Sequence, residues 1–414
     1  MSSREDREYL KAFYRAADIP QGLDPRLREY YVPIYDHPGM RDFDVIPKMQ
    51  RAIEFSAGQS VQLLSGFRGC GKTSELLRLQ SRLEHNGTRV VYLDIEDFFN
   101  TRLPVDAWRF LIALAAGFAL AVERDLKEPA STRFRNFLSR VRPELGASFG
   151  VPGASVDLKG VVKDDVSFAS EAERAFTDNR GTMRAEFHRF FATLISSVSL
   201  GRDVVFIVDS IDHWRGSSEQ FETVRESVED TFTQLADDLR IPNLHVIYTV
   251  PIYLDVPGLG TRYDIVNVKL ADRAGAPFAP GRDALEQVLA KRAPANDLSR
   301  LLGAEETSRL ISSSGGHFRD LLRLTRELIL GASAVPATIG ELARAEMTLR
   351  TGYTTTLTQE QMVVLRHVAE TKTLFGSRAQ SADEAALITL GAILRYPNDE
   401  DTWYDVHPLL KPIL

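Results

Sequence analysis

Residues Gly66-Phe67-Arg68-Gly69-Cys70-Gly71-Lys72-Thr73 spell G-x-x-x-x-G-K-T, and they constrain the fold more tightly than any other feature of the chain. Before them, Val61-Gln62-Leu63-Leu64 reads as a short buried strand. After them, leucines at 76, 77, 79 and 83 suit one face of a helix. A strand, a glycine-rich turn and a helix are the surroundings in which this motif binds phosphate. The glycines let backbone N–H groups curl round a phosphate, and the helix N-terminus adds favourable partial charge. Lys72 would then reach the β- and γ-phosphates, and the Thr73 hydroxyl would hold Mg²⁺. The stretch from Gly66 to Ser74 is therefore expected to bind a nucleoside triphosphate.

With 414 residues the chain exceeds one typical core, so two or three domains are expected. Hydrophobic residues at 44% and charged residues at 26% describe an ordinary soluble globular protein. No apolar run reaches the ~20 residues needed to cross a bilayer. The N-terminal Met1-Ser2-Ser3-Arg4-Glu5-Asp6 carries both signs of charge and no apolar stretch, so no secretory signal is expected. The single cysteine, Cys70, excludes an internal disulfide framework and fits a reducing cytoplasm. Inside the phosphate loop it reads as a small filler rather than a redox switch. A net charge of −7 argues against nonspecific nucleic-acid binding, which neutralises phosphates with Lys and Arg.

A helix is expected from about Asp44 to Phe55 and a second strand over Arg89 to Ile95. A long apolar helix follows over 104–122. Residues 123–176 read as an insertion, with arginines at 133, 135, 140 and 142 and a hairpin turning at Pro152-Gly153. Those arginines read as a solvated helix face before a nucleic-acid patch. Further strands are expected over Asp203 to Asp209, Leu244 to Thr249 and Asp264 to Leu270. Alternating strands and helices mean an α/β core with a mainly parallel sheet. The expected division is an N-terminal segment 1–40, a core 41–272, a helical lid 273–350 and a winged-helix-like tail 351–414. The tail ends in a hairpin, Ile393 to Tyr396 and Trp403 to Val406, turning at Pro397-Asn398-Asp399.

Val204 to Asp209 is an apolar run ending in an acid, followed by Ser210-Ile211-Asp212. A carboxylate at the C-terminal end of a parallel strand points to where open α/β sheets bind ligands. Asp209 is thus a candidate to hold Mg²⁺ from the strand neighbouring the loop strand, and Asp212 to polarise an attacking water. Together these motifs resemble the AAA+ and STAND classes of P-loop ATPase, STAND proteins being signal-transduction switches related to the origin-recognition ATPases. The resemblance implies an ATP/ADP- and Mg²⁺-dependent ATPase. It makes Thr249 a polar sensor of the γ-phosphate, and Arg262, just before the last core strand, an arginine finger acting on a neighbouring subunit. Ser314-Gly315-Gly316-His317-Phe318-Arg319 is similar to the second-sensor turn, which makes Arg319 a phosphate ligand. Tyr404-Asp405-Val406-His407-Pro408 looks like the STAND Met-His-Asp motif, with Val406 for Met and Pro408 for Asp. There His407 would touch the β-phosphate of ADP, or else cap the final segment.

Two functions compete. One is a switch that couples nucleotide state to conformational change, homo-oligomeric assembly or an effector or regulator protein. The other is a DNA-handling AAA+ ATPase of the initiator or transposition-regulator type. From Thr351 to Leu414 five Lys/Arg stand against eight Asp/Glu, a net of −3 that phosphates would repel, which favours the switch. A small-molecule kinase would need neither second sensor nor tail, and no metalloprotease or hydrolase motif is present.

Overall fold

The computed structural model describes residues 4–18, 23–27, 29–126, 128–147, 157–215, 220–376, 381–398 and 402–414. Strands β1 (Ser60–Gly66), β2 (Arg89–Asp94), β3 (Val204–Asp209), β4 (His245–Val250) and β5 (Thr261–Ile265) form one sheet in the order β2-β3-β4-β1-β5. β1 pairs in parallel with β4, β4 with β3, and β3 with β2. Parallel neighbours need crossovers, and the helices Lys72–His85, Ala107–Ala121 and Phe221–Gln234 supply them. Every residue of β3 and β4 is buried, as expected where helices cover both faces of a sheet. The fold class is therefore the expected one, an α/β core with a mainly parallel sheet and a phosphate-loop strand.

Two strand expectations need correction. The acid-bearing β3 does not neighbour the loop strand β1, because β4 lies between them. The last strand begins at Thr261 and ends at Ile265, earlier than the expected 264–270. A Cβ on Gly260 would stand 2.4 Å from the Val61 carbonyl oxygen, so only glycine lets the chain press onto β1 there. Beyond Ile265 the backbone finds other partners: the Asn267 N–H donates to the Arg395 carbonyl (3.1 Å) and the Val268 N–H to the Gly316 carbonyl (3.1 Å).

By compactness the chain forms two units, one of Met1–Ile46, Gly66–Arg78 and Asp264–Leu414, the other of Pro47–Ser65 and Leu79–Tyr263. The first unit thus holds the phosphate loop together with the helices Ala279–Ala290, Ala304–Ser313, Phe318–Gly331 and Ile339–Thr354. Its C-terminal part has helices Gln359–Thr371 and Ala382–Leu390, then β6 (Ile393–Pro397) antiparallel to β7 (Thr402–Val406), with Ile393 opposite Val406. Thr358 and Ser381 begin these two helices with capping boxes. The acids at 399–401 lie outside the described residues, as does the hairpin expected at Pro152-Gly153.

In the second unit the described part of the segment 123–176 is mainly short helices, among them Ala130–Val141 and Val166–Asp178. Phe134 and Phe137 of the helix Ala130–Val141 pack on Phe190, with ring centroids 6.2 and 4.9 Å away. Two arginines here lie near acids: Arg140 3.6 Å from Glu186, and Arg142, just past the helix, 3.4 Å from Asp178. Phe134 is fully buried. Phe134→Ala is expected to destabilise the protein by about 3–5 kcal/mol in urea unfolding. A loss under about 1 kcal/mol would mean this segment is peripheral to the core.

Candidate nucleotide-binding site

In the first unit the chain leaves β1 at Gly66 and turns into a helix that begins at Lys72. Gly69 and Gly71 hold φ of +92° and +99°, which side-chain-bearing residues rarely adopt. Lys72 is buried, and its ammonium donates to the Gly66 and Phe67 carbonyls at 2.9 and 2.8 Å. A positive charge is thereby held within the curl of the loop. Thr73 and Ser74 occupy the first helical turn, where the Ser74 hydroxyl accepts from the Leu23 N–H (2.8 Å). Glu75 in the same turn is pushed above the usual carboxylate range by burial, against the opposing pull of Arg78. Arg78 also donates to Asp44 Oδ2 at 3.0 Å, which anchors this helix to the stretch just before the helix Ile46–Glu54. Cys70 is buried with its Sγ toward the Ile265 carbonyl (3.8 Å).

The most connected group near the loop is one to which the sequence motifs assign no role, His317. His317 Nε2 stands 2.8 Å from the Arg68 carbonyl oxygen, and its Nδ1 stands 2.9 Å from Asp320 Oδ2. Arg319, in the first turn of the helix Phe318–Gly331 as expected, donates its N–H to the Gly69 carbonyl (3.3 Å). Its side chain covers that glycine, since a Cβ on Gly69 would stand 2.6 Å from Arg319 Cβ. The loop is therefore seated on the turn 316–319 by two of its own carbonyls. His407 is fully buried beside Asp320, its Nε2 3.3 Å from Oδ2. His317 and Asp320 share one face at i, i+3 spacing, a signal the sequence offers. Tyr353, which donates to the same oxygen, is 33 residues from Asp320 and carries no such signal.

In the second unit the parallel register brings Asp94 opposite Asp209 and Leu64 opposite Thr249, so these polar residues share the C-terminal edge of the sheet. Asp209 is buried and accepts from the Ser210 N–H (2.7 Å) and the Tyr92 hydroxyl (2.5 Å). Burial first, then the Asp209 charge, raises the Tyr92 hydroxyl far above its ordinary range, so it keeps its proton and donates. Ser210 adopts left-handed φ of +69°, a strain of roughly 1–3 kcal/mol that turns the chain sharply after Asp209. The Thr249 hydroxyl accepts from the Ile211 N–H (3.1 Å), which braces this turn. Asp212 follows in the 3-10 turn Ile211–His213 with a nearly enclosed side chain, 4.0 Å from His213 Nε2. Arg262 lies within β5 rather than before it. Its guanidinium donates to the Ile252 carbonyl and the Ser65 hydroxyl, both at 2.9 Å, and to the Leu254 carbonyl.

In the first unit, an enclosed ammonium and a glycine backbone suit phosphate oxygens. In the second unit, a buried carboxylate is a hard oxygen ligand of the kind Mg²⁺ takes. Burial also sets a pH dependence. It lowers His407 and, in the second unit, His245 below the ordinary 6.5. The unfolded chain therefore takes up these protons first, so their stabilisation is complete above about pH 6.5 and is lost as pH falls below it. Urea midpoints are expected to be lower at about pH 5.5 than at about pH 7.5. Equal midpoints would contradict the burial of these rings as neutral groups.

No protein-family model matches the chain, and no curated protein matches it. Among solved structures, it is similar to a Walker-type ATPase of Pyrococcus abyssi at 14% identity and a TM-score of 0.42, covering 90% of this chain and 95% of that one. It is similar to the Aeropyrum pernix ORC2 protein, solved as ADPNP–ADP complexes, at 11% identity and a TM-score of 0.40, covering 95% and 93%. It is similar to Cdc6p from Pyrobaculum aerophilum at 12% identity and a TM-score of 0.39, covering 96% and 95%.

Proposed function

We propose that the chain binds ATP with Mg²⁺ at Gly66–Ser74, hydrolyses it slowly or on stimulation, and uses the bound nucleotide to switch its conformation, its assembly or its hold on a partner protein. The observation that carries this reading is the seating of the phosphate loop. The carbonyls of Arg68 and Gly69 are bonded to His317 and Arg319, so a change at the loop is felt directly by the helix Phe318–Gly331. A simple phosphate-transfer enzyme has no need of that link.

In this reading Lys72 neutralises phosphate charge, Thr73 and Asp209 offer the oxygens for the cation, and Asp212 orients water. Thr249 and Arg319 register the phosphates. Arg262 would serve a neighbouring copy only by leaving Ile252, Leu254 and Ser65. His407 supports the site from behind Asp320 rather than touching phosphate. We keep the four-segment division as the working one, with the two C-terminal helices and hairpin as a winged-helix-like module that packs on protein. DNA handling gains no support, since Arg140 and Arg142 already face acids and the tail is acidic.

Lys72→Ala is expected to weaken ATP binding in calorimetry by at least about 100-fold. Wild-type affinity in that variant would end the nucleotide reading. Asp212→Asn should slow turnover and spare binding; unchanged turnover would make it a bystander. Light scattering should give different masses with ADP and with ATP, whereas one mass in both states, with tight salt-sensitive duplex binding, would favour the DNA alternative.

A further inference from the structure

The Asp320 carboxylate is 1% exposed and gathers side chains from three separate stretches of the chain. His317 approaches Oδ2 and Arg323 approaches Oδ1, at 2.9 and 3.2 Å. The Tyr353 hydroxyl donates to Oδ2, and His407 Nε2 lies 3.3 Å from the same atom. His407 has its tautomer set by the Leu409 N–H, which donates to Nδ1 at 3.2 Å and so leaves the ring proton on Nε2. That proton faces the Asp320 carboxylate.

His317 is bound differently. Both of its nitrogens face acceptors, and the Arg68 carbonyl cannot donate. The ring satisfies both partners only with a proton on each nitrogen. A cationic ring that is 4% exposed needs a counter-charge close by, and Asp320 provides it. Burial alone would raise the Asp320 carboxyl, but the charge and hydrogen bond of His317, then the hydrogen bond of His407, hold it well below the usual carboxylate range. The turn itself is gripped from the C-terminal side, where the Tyr396 hydroxyl of β6 donates to the Gly315 carbonyl (2.7 Å). Gly316, at φ +76°, lies so close to Val268 that a Cβ would stand 1.9 Å from its carbonyl oxygen.

We propose that Asp320 is a positioning residue of the nucleotide site: it orients His317 so that the ring holds the Arg68 carbonyl, and it ties that hold to Tyr353 and His407 near the C-terminus. The proposal rests on the reading of Gly66–Ser74 as a nucleotide loop. If Asp320 moves or is neutralised, His317 loses its counter-charge and releases the loop from behind. The phosphate ligands themselves stay in place in sequence but lose their fixed curl, so affinity falls without any ligand having been removed.

The test uses Asp320→Asn in the full chain, with two readouts. In the nucleotide-free protein, amide exchange over residues 66–71 should quicken about tenfold while the sheet's amides are unchanged. In calorimetry, ADP should bind about tenfold more weakly. A His317→Gln, His407→Gln double-mutant cycle should depart from multiplicative effects on ADP affinity by about threefold or more, and the departure should vanish in Asp320→Ala. Unchanged loop exchange in folded Asp320→Asn overturns the proposal. Loop loosening without any ADP binding by the wild type would keep the positioning role and end the nucleotide reading instead. Should Asp320→Asn fail to fold, Tyr353→Phe removes one hydroxyl. It should then quicken loop exchange by about threefold, and no change there also overturns the proposal.

Discussion

The phosphate loop of this chain depends on two backbone carbonyls being held from behind. Arg68 and Gly69 give theirs to His317 and Arg319. A glycine-rich loop has high conformational freedom, and glycines at φ near +90° cost entropy to fix. The turn 316–319 supplies that fixation in the same compact unit as the loop. Arg319 also crowds Gly69 so closely that no side chain fits there, which makes the glycine a matter of packing as well as of dihedral angle.

The second unit presents a different chemistry at its sheet edge. Asp209 has both carboxylate oxygens engaged, one by a tyrosine that keeps its proton and one by the strained turn at Ser210. A carboxylate fixed in this way keeps its orientation without reorganising. Thr249 braces the same turn from the adjacent strand. Strain at a non-glycine residue persists only where its surroundings over-determine it, and Ser210 has such surroundings.

Much of this was legible in the sequence because it is local. The loop, its strand and its helix are contiguous, and the acid ends an unbroken apolar run from Val204. The C-terminal hairpin was legible from its two short β-rich stretches. Strand order was not, because which strand lies beside β1 depends on crossovers that sequence spacing does not fix. The start of β5 was missed because its cause is the close approach of Gly260 to Val61, and its end because Asn267 and Val268 bond to residues far along the chain. Arg262 was displaced from loop to strand by the same error. Of the Asp320 cluster only the i, i+3 neighbours His317 and Arg323 are legible in sequence, because Tyr353 and His407 converge on it only after folding.

In the proposed switch, nucleotide at Gly66–Ser74 is registered by the turn that seats the loop. Amide exchange of the wild-type protein, with and without saturating Mg·ADP, tests it most directly. Added protection is expected both at residues 66–75 and at residues 314–320, two stretches far apart in sequence. Protection at the loop with none at 314–320 would contradict it, leaving a nucleotide site without a switch.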